Sequence, residues 1–171
     1  LGEFMTQRFD YDLLVIGAGS GGVRAARKSA EFGARVAVVE EAALGGTCVN
    51  VGCIPKKLYV YASEFASAWR EAEGFGWRAD GVSFDWDTLR DNKSKEIARL
   101  NAIYERLLNA PGVDIITGHG TLTGPQSVLV NGHTYHAEKI LLATGTWPAL
   151  PDIPGNELAL TSNEIFDLAQ F

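Results

Sequence analysis

Asp12-Leu13-Leu14-Val15-Ile16-Gly17-Ala18-Gly19-Ser20-Gly21-Gly22 passes from an unbroken apolar run into clustered glycines. Such a run suits a strand buried on both faces of a parallel sheet. Gly17, Gly19 and Gly22 have the G-x-G-x-x-G spacing, and Val23 to Phe32 continue as a helix. In that spacing the first glycine permits a tight turn, the second lets backbone approach a pyrophosphate, and the third lets helix and strand pack closely. Gly33 ends the helix, and Arg35-Val36-Ala37-Val38-Val39 reads as a second strand. Glu40 follows at the place where an acid hydrogen-bonds the hydroxyls of a dinucleotide's ribose. Strand, glycine turn, helix, strand and acid in this order predict an α/β dinucleotide-binding unit.

Working outward, Gly45-Gly46-Thr47-Cys48-Val49-Asn50-Val51-Gly52-Cys53-Ile54-Pro55-Lys56-Lys57 contains both cysteines of the 171 residues. A short loop between them brings two sulfurs into disulfide range, and Pro55 suits the first turn of a helix. At a helix N-terminus, amide groups and the dipole lower a thiol pKa, and Lys56 and Lys57 add positive charge. A redox pair is one reading. Two packed cysteines, or half of a zinc site with His133 and His136, are the alternatives, although zinc usually takes a shorter spacing.

Ile54 to Glu73 reads as a long helix whose Leu58, Tyr61, Phe65 and Trp69 form a core-facing stripe. Gly74, Gly76 and Gly81 interrupt it, and Asp85 or Asp87 caps a second helix over Trp86 to Leu108. That helix places Leu89, Ile97, Leu100, Ile103, Tyr104 and Leu107 near one face, with its charges solvated. Residues 113–116 begin a strand leading into Gly118-His119-Gly120. Asn131-Gly132 between residues 128–130 and 133–136 signals an antiparallel hairpin. Residues 139–143 read as a further buried parallel strand ending at Thr144-Gly145, where backbone can approach a cofactor. Pro148, Pro151 and Pro154 keep the next segment extended rather than helical.

Fifteen basic against twenty-one acidic side chains leave a net charge of −6 without a basic run, which argues against nucleic acid. No apolar run reaches the roughly 20 residues needed to cross a bilayer, and no secretory leader pattern is present, so a cytoplasmic setting is expected. In that setting a disulfide is more often catalytic than structural. Residues 1–7, with Leu1-Gly2-Glu3-Phe4 before Met5, resemble a cloning remnant and are set apart from a domain over 8–171.

Taken together, the glycine turn, Glu40, the thirteen-residue cysteine stretch and Ala143-Thr144-Gly145 resemble the flavin-dependent pyridine nucleotide-disulfide oxidoreductases over residues 8–171. The resemblance implies a Rossmann-like FAD-binding domain with a central parallel sheet, flanking helices and a small antiparallel sheet. Its cofactor contacts would come from Gly17, Gly19, Ser20, Gly21, Gly22, Glu40, Gly46, Thr47, Cys48, Cys53, Lys56, His119, Gly120, Ala143, Thr144 and Gly145. Lys56-Lys57 resembles the branches that reduce glutathione or thioredoxin disulfides rather than lipoamide. Arg99-Leu100-Asn101-Ala102-Ile103-Tyr104 is similar to a segment of the glutathione-reducing branch, and Arg27 falls where that branch binds a substrate carboxylate. Arg24 and Leu107 depart from the eukaryotic pattern around that pocket.

By this resemblance, electrons pass from NADPH through FAD to a Cys48–Cys53 disulfide and then to glutathione disulfide. Cys53 would lie against the flavin, Cys48 would attack the substrate, and Lys56 would sit near the flavin ring, while Lys57 is a solvated helix residue. Arg27, Ile103 and Tyr104 would contact the substrate, and no metal is required. Full-length members form homodimers and carry NADPH and interface domains after the region seen here. Thr161-Ser162-Asn163-Glu164 resembles the crossover before them, so a truncated and inactive FAD-binding part is expected, with a non-catalytic nucleotide-binding module as the other class.

Overall fold

A computed structural model describes residues 9–78 and 81–170; the segment set apart at 1–7 lies outside them. The described residues divide into two compact units, one built from 9–46 and 101–145, the other from 47–78, 81–100 and 146–170.

The first unit is organised on one six-stranded sheet in the order β3-β2-β1-β6-β5-β4. Strands β1 (Tyr11–Ile16) and β2 (Val36–Glu40) are parallel and flank the helix α1 (Ser20–Glu31) in sequence. β3 (Asp114–Thr117) joins β2 in parallel, and β6 (His133–Leu142) joins β1 in parallel on the other side. β4 (Thr121–Gly124) and β5 (Ser127–Val130) extend the sheet antiparallel from β6. The apolar run predicted as a doubly buried strand is one: Leu14 and Val15 are both fully buried, and they belong to different faces. On one face Val15, Val36 and Val38 pack with Val23, Ala26 and Ala30 of α1 and with Leu108 and Val113. On the other, Leu14, Ile16, Ala37 and Val39 pack with Val128, Val130 and Ala137.

Two sequence expectations change here. The hairpin strand at 133–136 and the parallel strand at 139–143 are a single ten-residue strand, β6. Its first four residues pair with β5 and the rest pair with β1, because nothing at Ala137-Glu138 breaks an extended chain. The small antiparallel sheet is therefore continuous with the parallel one. The turn itself is as read: Asn131 and Gly132 both take positive φ, 51° and 82°, as a two-residue hairpin turn requires. Near the end of the second long helix the buried apolar side chain is Leu108 rather than Leu107, which is 36% exposed.

The end of the sheet away from the glycine turn is held by polar contacts. Arg35 pairs with Asp12 at 2.7 Å and donates to the carbonyls of Phe9 and Asp10. This holds the Asp12 carboxyl below its usual range, chiefly through the hydrogen bond from the guanidinium. Tyr11 donates to Asp114 at 3.0 Å, and its hydroxyl is pushed up to about 12, first by burial and then by that carboxylate.

The second unit holds most of α2 (Gly46–Asn50), all of α3 (Cys53–Ala72), the first part of α4 (Trp86–Asn109) and the short α5 (Ser162–Ile165). Asp85 caps α4 by accepting from the Thr88 amide, as expected. The aromatic stripe of α3 is not core: Tyr61, Phe65 and Trp69 are 49%, 67% and 43% exposed. Phe65 and Trp69 instead line an open cavity of about 640 Å³ with Tyr59, Trp86, Phe166 and Leu168. Helical periodicity identifies an apolar face but not what covers it.

The charges of α4 also include an exception, since Lys93 is 4% exposed and its ammonium meets Asp167. Around it, Tyr59, Trp86 and Arg90 donate to the backbone carbonyls of Phe166, Leu168 and Ala169. Thr161 forms a capping box with Glu164 that starts α5.

Candidate active site

The glycine turn lies where β1 ends and α1 begins. Gly19 is the N-cap of α1 with no side-chain cap, and the first turn holds no acid, so the positive end of the helix stays available to an anion. Ser20 opens the helix, followed by Gly21 and Gly22. A Cβ on Gly22 would lie 1.8 Å from the Gly17 carbonyl oxygen, and one on Gly17 would lie 2.3 Å from that of Ala143. Helix and turn thus meet at backbone contact, as the spacing predicts. Ala143 donates its amide to Ile16 at 2.8 Å, which places it at the end of β1, with Thr144 and Gly145 exposed beyond.

Glu40 closes β2, and its carboxylate is held in place. One oxygen accepts from the Ala18 amide at 2.7 Å and the other from the Ala42 amide at 2.9 Å, so the acid bridges the glycine turn and the loop after β2. That loop is fastened again by Gly45, which donates to the Ala18 carbonyl at 2.9 Å, and by Asn101 of α4, which donates to the Leu44 carbonyl at 2.7 Å. Gly46 comes so close to Gly19 that a Cβ on it would lie 2.7 Å from the Gly19 Cα. Gly120 sits over the ends of β1 and β2, where a Cβ would meet Ile16 and Val39 at 3.2 Å. His119 contacts Glu41 at 2.6 Å, an exposed pairing that sequence reasoning did not foresee. A cavity of about 410 Å³ opens beside Glu40, Leu44 and Thr117.

These residues fit a dinucleotide on structural grounds: backbone where side chains would obstruct, an open helix N-terminus, and an oriented acid at the end of the second strand.

In the second unit Cys48 and Cys53 form a disulfide with Cα atoms 4.6 Å apart. The link between them is not the expected loop: Cys48 lies in α2, whose turn is closed by the Val51 amide on the Thr47 carbonyl at 3.0 Å. Gly52 makes the sharp connection to α3, since a Cβ there would lie 2.8 Å from the Thr47 carbonyl. Cys53 is the first residue of α3, as expected, and is exposed; Cys48 is half-buried. The zinc alternative finds no support, because the sulfurs are bonded to each other while His133 stands edge-on to Tyr135 and His136 lies beside Asp10. Lys56 is exposed one turn after Cys53. Lys57 is exposed on α3, as expected, and its ammonium lies over the Tyr61 ring, 4.5 Å from the centroid.

The three residues read as substrate contacts all lie in the first unit. Arg27, on α1, faces Glu31 at 3.4 Å. The Glu31 carboxyl is held below its ordinary range, first by the Lys28 hydrogen bond and then by Lys28, Arg27 and Arg24. Ile103 and Tyr104 are half-buried on α4, and Tyr104 packs against the core of α1 and β1. Among the described residues no helix is long and apolar enough to cross a membrane.

Known proteins match this arrangement. The family model for pyridine nucleotide-disulphide oxidoreductases covers residues 11–171. A glutathione reductase of Burkholderia cepacia is 48% identical over 162 residues, which is 95% of this chain and 36% of that protein. One from a Nostoc species is 44% identical over 160 residues, covering 94% of this chain and 35% of the relative. The chloroplastic/mitochondrial glutathione reductase of Pisum sativum is 45% identical over 173 aligned positions, 95% of this chain and 31% of the relative. The chain thus spans about a third of the length of these relatives. With the glycine cradle, the oriented acid and the cysteine disulfide all falling within the matched residues, the chain belongs to the pyridine nucleotide-disulphide oxidoreductase family.

Proposed function

We propose that these residues form the FAD-binding, disulfide-carrying part of an NADPH-dependent glutathione-disulfide reductase. The observation that carries the reading is the Cys48–Cys53 disulfide at the start of a helix, in a chain whose other unit holds a dinucleotide cradle. FAD, when bound, supplies the electron pair that reduces this disulfide. Gly17, Gly19, Ser20, Gly21, Gly22 and Gly46 would present backbone to the pyrophosphate, and Glu40 would hold the ribose hydroxyls. Gly120, Ala143, Thr144 and Gly145 border the same end of the sheet, and Thr47 and Lys56 of the second unit are proposed as contacts from the resemblance alone. NADPH is the proposed electron source for the whole enzyme. A cytoplasmic homodimer is the setting proposed for the whole enzyme.

Thiol exchange explains the need for two sulfurs. In the reduced pair the Cys48 thiolate attacks one sulfur of glutathione disulfide, the substrate S–S bond breaks, and one glutathione leaves as a thiolate. The Cys53 thiolate then attacks the Cys48 sulfur, expels the second glutathione and restores the Cys48–Cys53 disulfide. Two electrons pass from the dithiol to the substrate. The helix N-terminus and Lys56 favour the thiolate forms. Arg27 is the candidate partner of a substrate carboxylate.

The test separates the two sulfurs. A reduced Cys53→Ser chain mixed with glutathione disulfide should retain one glutathione on Cys48, seen by intact mass and peptide mapping. A Cys48→Ser chain should retain much less. Equal labelling of both variants would overturn the division of roles, and reduction of thioredoxin but not glutathione disulfide by the full-length enzyme would move the substrate to the other branch.

A further inference from the structure

At least four contacts brace the loop after β2. The Ala42 amide donates to Glu40, the Gly45 amide to Ala18, Glu41 pairs with His119, and the Leu44 carbonyl accepts from Asn101. The last is the only one of these contacts made by a helix side chain, and it is partly buried. What it fixes is narrow: Gly46, two residues on, has φ of 62°, and a Cβ on it would lie 2.7 Å from the Gly19 Cα. A loop this close to the N-cap of α1 has little room to move before it either collides with the turn or opens away from it.

We propose that Asn101 is a positioning residue of the dinucleotide site. Its amide sets the height of Gly45-Gly46 against Gly19, and so the width of the pyrophosphate cradle, without touching the cofactor. The inference rests on the FAD reading above and deepens it. It also joins two features through one bond, because the helix that carries Ile103 and Tyr104 is the helix that holds the cradle loop. A partly buried amide-to-carbonyl bond is worth enough that losing it changes a binding constant by about two- to tenfold.

Asn101→Asp removes the donor and sets a carboxylate against the Leu44 carbonyl; Asn101→Ser removes the reach without adding charge, and serves if the first variant folds poorly. The expected result in the 171-residue chain is a two- to tenfold rise in Kd for both FAD and ADP, followed by fluorescence or calorimetry, with the unfolding midpoint lowered by about 1–6 °C as the loss of one such bond requires. Independently of any ligand, amide exchange at Gly45 should accelerate, because its bond to Ala18 loosens with the loop. Unchanged affinity and unchanged Gly45 exchange overturn the role of Asn101 alone. A wild-type chain that binds neither FAD nor ADP overturns the cofactor reading, and the role of Asn101 with it.

Discussion

Gly21 and Gly22 are neighbours in the first turn of α1, and alanine at the two positions should have opposite effects. At Gly22 the new Cβ would stand 1.8 Å from the Gly17 carbonyl oxygen and 3.2 Å from Val15 Cγ1. The first obstacle is backbone, not the end of a flexible side chain, so α1 and the turn must part by more than about 1 Å. Overpacking of this kind costs about 1–3 kcal/mol. For a chain of 171 residues, each kcal/mol moves the unfolding midpoint by about 2–4 °C, giving a fall of about 2–12 °C. At Gly21 a Cβ meets nothing within 4 Å, and alanine gains about 0.5–1 kcal/mol of helix propensity, a rise of about 1–4 °C. Calorimetry of the two variants without cofactor reads both shifts. Shifts of the same sign would refute the described approach of helix to turn, and Gly22→Ala should also weaken FAD binding, since the parting occurs inside the cradle.

Two further outcomes rest on contacts away from that turn. Tyr11 has a folded-state pKa raised to about 12, first by burial and then by Asp114, so its contribution is fully present below the ordinary value of 10.0 and is lost as pH rises through 12; Tyr11→Phe should flatten the alkaline limb of a stability-versus-pH curve between those values, and an unchanged limb would refute Tyr11 as the group that titrates there. Asp167→Asn leaves the buried Lys93 ammonium without its carboxylate and should cost about 1–3 kcal/mol in urea unfolding, reduced from the fully buried case because Asp167 is half-exposed; Lys93→Met, which removes the charge and keeps the stem, should cost less.

Local chemistry made the dinucleotide unit readable from the chain alone. Residues 12–40 place strand, turn, helix and acid next to one another, and each element is specified by residues within a few positions of it. The cysteine pair was readable for the same reason, although the helical turn holding Cys48 was not, because five residues carry too little periodicity to announce a helix. What failed was long-range. The stripe of Tyr61, Phe65 and Trp69 has a core-like spacing, yet no spacing states what lies opposite it. Lys93 looked like any solvated charge of α4 because its partner is 74 residues away. Asn101 donates to a carbonyl 57 positions earlier, and a backbone carbonyl has no sequence signature at all.

β6 makes a quiet demand on the hairpin turn at Asn131-Gly132. The strand starts directly after that turn and delivers Ala143 to Gly17 at its far end. A strand advances about 3.3 Å per residue, so one residue added to the turn, if taken up by sliding β6, would carry the Ala143 carbonyl by that distance and turn every side chain of β6 to the opposite face. The two-residue turn therefore works as a gauge block, setting from ten residues away how far the strand reaches under the glycine turn.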